Sequence, residues 1–167
     1  MRPRNSVLLV VSAILLSTAW AQQSKPTRVL AAAELKTVVP ASFFYRGQSA
    51  STQIRNSAGI RTQDQKFVLA GMVDTAGYAT SIAQKYQGFF ITEVKVKIEG
   101  SELAPGEYGF GFVGDKFVVT DVGANDVLSV SSKKDDNLKR AVPLKITKEG
   151  DAYRLYAGKK YVTVQVE

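Results

Sequence analysis

The chain contains no histidine and no cysteine in 167 residues. Without imidazole, Ser-His-Asp and Cys-His catalysis, histidine general bases, histidine-ligated haem and the usual nitrogen and sulfur zinc sites are all excluded. Without thiols there are no disulfides, which often supplement the small cores of exported domains, and no cysteine to carry a lipid anchor. Stability must then come from packing and sheet hydrogen bonds alone. A third lack is of long apolar runs: the longest, from Val7 even if extended to Ala21, has 15 residues, whereas a membrane-spanning helix takes about 20. Whatever chemistry the chain performs falls to carboxylates, lysine, serine and tyrosine.

What is present at the N-terminus fits a cleavable secretory signal over Met1–Ala21. Two arginines without an acid precede the apolar run Val7 to Leu16, and small residues stand at Ala19 and Ala21, as cleavage requires. A lead-in, residues 22–33, is polar and then alanine-rich without a clear period, and is expected to be flexible. Residues 34–167 are expected to form one domain of ordinary size. The formal net charge of +7 falls to +5 without Arg2 and Arg4. Such an excess suits contact with anionic surfaces, although its plainer role is solubility.

From Leu35 onward, short apolar runs are punctuated by Gly, Asp and Asn, the pattern of sequential antiparallel strands. Phe90 to Ile98 alternates most clearly, with Phe90, Thr92, Val94, Val96 and Ile98 on one face and Ile91, Glu93, Lys95 and Lys97 on the other. Gly114-Asp115 suits a two-residue type II′ hairpin, which places Phe112 opposite Phe117, Phe110 opposite Val119 and Tyr108 opposite Asp121. The other face of that strand is bare at Gly109 and Gly111, which marks a bend or the close approach of a ligand or another backbone. Turns at Glu149-Gly150 and Gly158-Lys159 would put Leu144, Ile146, Tyr153, Leu155, Val162 and Val164 on a common face. A shorter strand is expected at Val127–Ser131, followed by a solvated loop over residues 132–140.

The N-terminal half is less regular. Strands are expected within Ser42–Ile54 and Ile60–Asp74, the latter apolar on both faces around Phe67 to Val73. One short helix is expected over Ile82–Gln87, with Ser81 and Gln84 as a capping box and Gly88 at its end, and it would serve to cover an open face. The fold class is therefore all-β and mainly antiparallel: a small up-and-down meander closing into a β-barrel, or else a sandwich, with one short helix. Sequential hairpins and glycine bends favour the barrel.

Candidate sites are few. Asp74, Asp121 and Asp126 lie at strand ends and turns; a converging pair would support carboxylate hydrolysis or hold Ca²⁺, but aspartate is also a common turn residue. Asp121 to Asp126 departs from the EF-hand loop, and Ser131-Ser132-Lys133-Lys134 lacks the helix and partner motifs of serine-lysine acyl enzymes. The glycines of Gly106 to Gly111 are wrongly spaced for a dinucleotide loop. Lys159, Lys160, Arg154, Tyr153, Tyr156 and Tyr161 interleave cations and aromatics, but an exported protein seldom meets nucleic acid, and none is expected as a partner. The ligand-binding candidates are Tyr108, Phe110, Phe112, Phe117 and Asp121, which inside a barrel would line an apolar pocket with polar groups at one end; the alternative is ordinary core packing.

The functional expectation is a non-enzymatic exported domain, periplasmic or extracellular in a bacterium, that either carries a small apolar ligand or acts as an envelope interaction module. No cofactor and no metal are expected. The competing expectation is a carboxylate hydrolase, which requires two of the three aspartates to meet in a cleft.

Overall fold

The computed structural model describes residues 25–167. The signal segment Met1–Ala21 lies outside them. In order, the chain forms β1 (Arg28–Val29), α1 (Ala32–Val38), β2 (Ser42–Tyr45), β3 (Gln48–Arg61), β4 (Phe67–Val73), α2 (Thr80–Lys85), β5 (Gly88–Thr92), β6 (Val96–Ile98) and β7 (Ser101–Leu103). It continues through β8 (Gly106–Val113), β9 (Lys116–Thr120), β10 (Asp126–Ser131), β11 (Lys133–Lys134), β12 (Val142–Glu149), β13 (Ala152–Gly158) and β14 (Lys160–Val166). The protein is thus mostly antiparallel β, and its strands divide between two sheets. The eight-stranded sheet runs β1-β3-β4-β5-β8-β9-β10 with β2 attached to β3; the six-stranded sheet runs β12-β13-β14-β6-β7 with β11 attached to β14. Among the described residues, no helix is long and apolar enough to cross a membrane.

The two sheets share one core. Ile60, Val68, Ala70, Phe90, Phe110, Phe117 and Val119 of the larger sheet meet Val96, Ile98, Leu144, Ile146, Tyr153, Leu155, Val162 and Val164 of the smaller. The six residues expected to form a wall in the C-terminal hairpins are all buried here, with Ile146 opposite Leu155 and Leu155 opposite Val162. The Gly114-Asp115 hairpin also closes as counted, pairing Phe112 with Phe117 and Phe110 with Val119. Gly114 takes a φ of 60° at the first central position while Asp115 does not turn positive, as a type II′ loop demands. The third expected pair does not form, because β9 ends at Thr120 and Asp121 already belongs to the following turn.

Phe90 to Ile98 keeps its alternation but is not one strand. β5 ends at Thr92, the chain bends, and β6 begins at Val96 in the other sheet. Phe90, Thr92, Val96 and Ile98 remain buried on the same side. The bend is fixed locally: the Thr92 hydroxyl donates to the Val94 carbonyl at 2.5 Å. Burial phase survives a change of sheet because both strands face the same interior.

The lead-in and the helices differ from expectation, since the described residues hold two helices where one was expected. Residues 28–29 pair with Ile60 and Arg61 as β1, so the lead-in is partly built into the sheet, and α1 starts within it. α1 has no hydroxyl cap. Instead Glu34 reaches back to the Ala31 amide at 3.0 Å and takes both guanidinium nitrogens of Arg28, at 2.8 and 2.5 Å. Those bonds, the Arg28 pair first, hold the Glu34 carboxyl down from the usual 4.5 to about 2. Its contribution to stability is therefore complete above the usual carboxylate range and is lost as pH falls from about 4.5 toward 2. Glu34→Gln is expected to flatten the decline of Tm over that window, which thermal melts at stepped pH would measure. The expected capping box at Ser81 and Gln84 is not formed: α2 starts at Thr80 with Ala79 as its cap and no side-chain cap bond, and Gly88 opens β5 rather than ending the helix.

A second core lies on the outer face of the larger sheet. Leu69 and Phe89 from that face pack with Leu35 and Val39 of the α1 segment, Phe43 and Tyr45 of β2, and Tyr86 at the end of α2. β4 is apolar on both faces for this reason, since it lies between two cores. The bare positions Gly109 and Gly111 receive this covering layer. A Cβ at Gly109 would stand 2.7 Å from Tyr45 Cε2, and one at Gly111 would stand 2.7 Å from the backbone oxygens of Gln84 and Lys85. The short helix thus covers an open face, as expected, by laying its backbone on a glycine.

Candidate functional site

The expected aromatic residues are divided between the core and its margin. Phe110 and Phe117 are wholly buried in the core between the sheets, with ring centroids 5.4 Å apart. Phe112 packs edge-on against Phe117 at 4.9 Å. Tyr108 donates its hydroxyl to the Ala104 carbonyl at 3.0 Å. Asp121 is turned into its own loop, where it accepts bonds from the Gly123 and Asn125 amides and from the Asn125 side chain, each at 2.9 Å. These bonds, the Asn125 side chain first, hold its carboxyl below its ordinary value. Phe110 and Phe117 thus belong to the core shared with the facing sheet, Tyr108 and Phe112 pack against it, and Asp121 is taken up in its own loop.

The carboxylates are similarly engaged. Asp126 forms an ion pair with Lys85 of α2 at 2.7 Å, and Asp74 accepts the Ala76 amide at 3.1 Å in a local turn. No group of three or more acidic side chains among the described residues is arranged to hold a metal ion.

The concavity with binding character lies on the opposite side of the larger sheet. It is a groove of about 440 Å³, open to solvent, lined by Val38, Pro40, Ser42, Phe43, Phe44, Phe67, Leu69, Ile91, Glu93 and Glu107. Its size falls within the range of small-molecule sites. The floor follows from strand register: Leu69 stands opposite Ile91, and Ile91 opposite Glu107, so β4, β5 and β8 present one outward row. Phe67 and Glu93 extend that row by one step, and Glu93 Oε2 is fixed by accepting the Phe67 amide at 2.8 Å. One wall is the C-terminal end of α1 with Pro40. The other is β2, whose alternation buries Phe43 and leaves Phe44 63% exposed at the rim.

That wall is held by stacked rings. Phe43 lies 5.4 Å from Phe89 at 21°, and Tyr45 lies 3.9 Å from Tyr86 at 12°. Tyr78 meets Tyr86 edge-on at 5.1 Å and donates its hydroxyl to the backbone oxygens of Tyr45 and Gln48. Burial pushes the Tyr45, Tyr78 and Tyr86 phenols up, so all three are neutral at physiological pH. The Tyr45 hydroxyl has a good partner in Thr120 Oγ1 at 2.7 Å. The Tyr86 hydroxyl, fully buried, forms no hydrogen bond of regular geometry and has the Tyr78 hydroxyl as its polar neighbour. The two tyrosines should therefore respond oppositely to loss of the hydroxyl. Tyr45→Phe is expected to cost about 1–2 kcal/mol, and Tyr86→Phe to be neutral or to stabilise by up to about 1 kcal/mol, in urea unfolding.

None of the sequence-level candidates lines this groove. Its residues come from four separated segments, and the one available signal was the two-sided apolar character of Phe67 to Val73, which requires something to cover the outer face. Comparison with known proteins finds no matching family, no matching curated relative and no matching solved structure.

Proposed function

We propose that this chain is a non-enzymatic binding module, exported by its N-terminal segment to the periplasm or the exterior, that holds a small apolar ligand in the groove beneath α1 and β2. The observation that carries this reading is the groove itself: a preformed hollow whose floor and walls, Leu69, Ile91, Phe67, Val38 and Phe43, are aliphatic and aromatic. The division of strands between two sheets around a filled core favours a sandwich over a closed barrel, and so favours an external groove over an internal cavity. A carboxylate hydrolase has less support, because Asp74, Asp121 and Asp126 are each taken up by local bonds or an ion pair.

The test is a titration of the protein with decanol, followed by NMR of side-chain methyl groups. Saturable shifts at Leu69, Ile91 and Val38 are expected. Phe44→Ala removes an exposed ring at the rim and should weaken binding about fivefold, the effect of roughly 1 kcal/mol of lost apolar contact, without changing the unfolding midpoint. Absence of saturable shifts at these three residues would refute the reading.

A further inference from the structure

We propose that the groove selects an apolar ligand bearing a positively charged head, an amine or guanidine on an alkyl or aryl body; this rests on the groove being a ligand site. Two of its lining residues are the carboxylates Glu93 and Glu107, and no lysine or arginine lines it. The two are diagonal neighbours on one face of the sheet, because Glu107 stands opposite Ile91 and Glu93 follows Ile91 by two residues. Side chains so placed lie within reach of a common ligand group. Neither has an ion-pair partner among the described residues, whereas Glu34, Glu99, Glu102, Glu149 and Glu167 are each paired with a cation. The guanidinium of Arg61 lies over the Phe67 ring, 5.4 Å from its centroid, and does not itself line the hollow.

The charge of this site runs against that of the whole chain. A protein with a formal net charge of +7 would, by its overall field, favour anions. The groove instead combines an apolar floor with two exposed carboxylates that have no ion-pair partner among the described residues, so a cation is attracted there most strongly at low salt. An apolar body against Leu69 and Phe43 would therefore set its head at Glu93 and Glu107. A peptide segment with a lysine could satisfy the same chemistry, but the volume of about 440 Å³ matches a small molecule.

Three probes with one tail and different heads test this: decylammonium, decanol and decanoate, titrated at low salt against the methyl shifts of Leu69 and Ile91. Decylammonium is expected to bind about tenfold more tightly than decanol, and decanoate more weakly than either. The preference should shrink as salt screens the carboxylates. The double variant Glu93→Gln, Glu107→Gln should lose the preference, decylammonium and decanol then binding within about twofold of each other. If all three probes bind in the groove with equal strength, charge selection is overturned and the ligand site stands. If the double variant retains the preference, the carboxylates are not its cause and the proposal falls. If no probe shifts the groove residues, both the site and its selectivity are refuted.

Discussion

Phe110→Ala is expected to lower the free energy of unfolding by about 3–5 kcal/mol, the cost of truncating a large buried aromatic and leaving its space unfilled. Phe110 has no exposed surface, and it sits in the core beside Phe117 and Phe112. It stands opposite Gly88 in β5, where a Cβ would lie 2.7 Å from the Phe110 ring, so the backbone of the neighbouring strand is already in contact with it. The tight fit leaves little room for collapse after truncation. This loss is a large share of the stability of a domain of this size. Chemical denaturation with an unchanged m value would measure it. The same experiment separates core from pocket: if Phe110 lined a ligand cavity, alanine would alter binding while costing little stability.

Gly111→Ala should cost about 2–3 kcal/mol through the opposite fault, an added methyl where no space exists. Its Cβ would meet the Gln84 and Lys85 backbone oxygens at 2.7 Å. A flexible side chain could turn away, but a helix backbone has to move as a unit. α2 has no fully buried residue of its own and is tied down at its end by the Gln87 amide bonding the Phe110 carbonyl at 2.7 Å and by the Lys85–Asp126 ion pair. Displacing α2 would also loosen Tyr86, and with it the stack that supports Phe43 in the groove wall. Faster amide exchange in α2 and β2, with β12 to β14 unaffected, is the expected signature. Exchange unchanged in α2 would mean that the helix does not rest on Gly111.

Much of the β structure was legible because its determinants are local. A two-residue loop with glycine first sets the register of both flanking strands, and alternation then assigns every side chain to a face. Hence Phe112 met Phe117, Leu155 met Ile146 and Val162, and the C-terminal wall formed as counted. The same local logic failed where a signal was ambiguous. Ser81 and Gln84 have the right spacing for a capping box, but α2 begins two residues earlier, at Thr80. The Arg46-Gly47 turn, where both residues take positive φ, separates β2 from β3 without an Asn-Gly or Asp-Gly pair to announce it.

The candidate site was hardly legible at all. Tyr108, Phe110, Phe112, Phe117 and Asp121 were chosen because they share a face, and they do share a region, but alternation cannot tell whether a buried face lines a cavity or meets another sheet. The groove depends on Val38, Phe44, Phe67, Ile91 and Glu107, which no periodicity links.

The sequence by itself determined the antiparallel strands, the inward face of the C-terminal hairpins and that Gly109 and Gly111 mark either a bend or a close approach, since these follow from alternation, turn chemistry and the absence of a Cβ. Only the tertiary structure decided that Phe90 to Ile98 divides between two sheets and that α1, β2 and α2 form a second core. Those outcomes depend on which distant surfaces bury the most apolar area together. That is a property of the whole chain, and no short window of residues contains it.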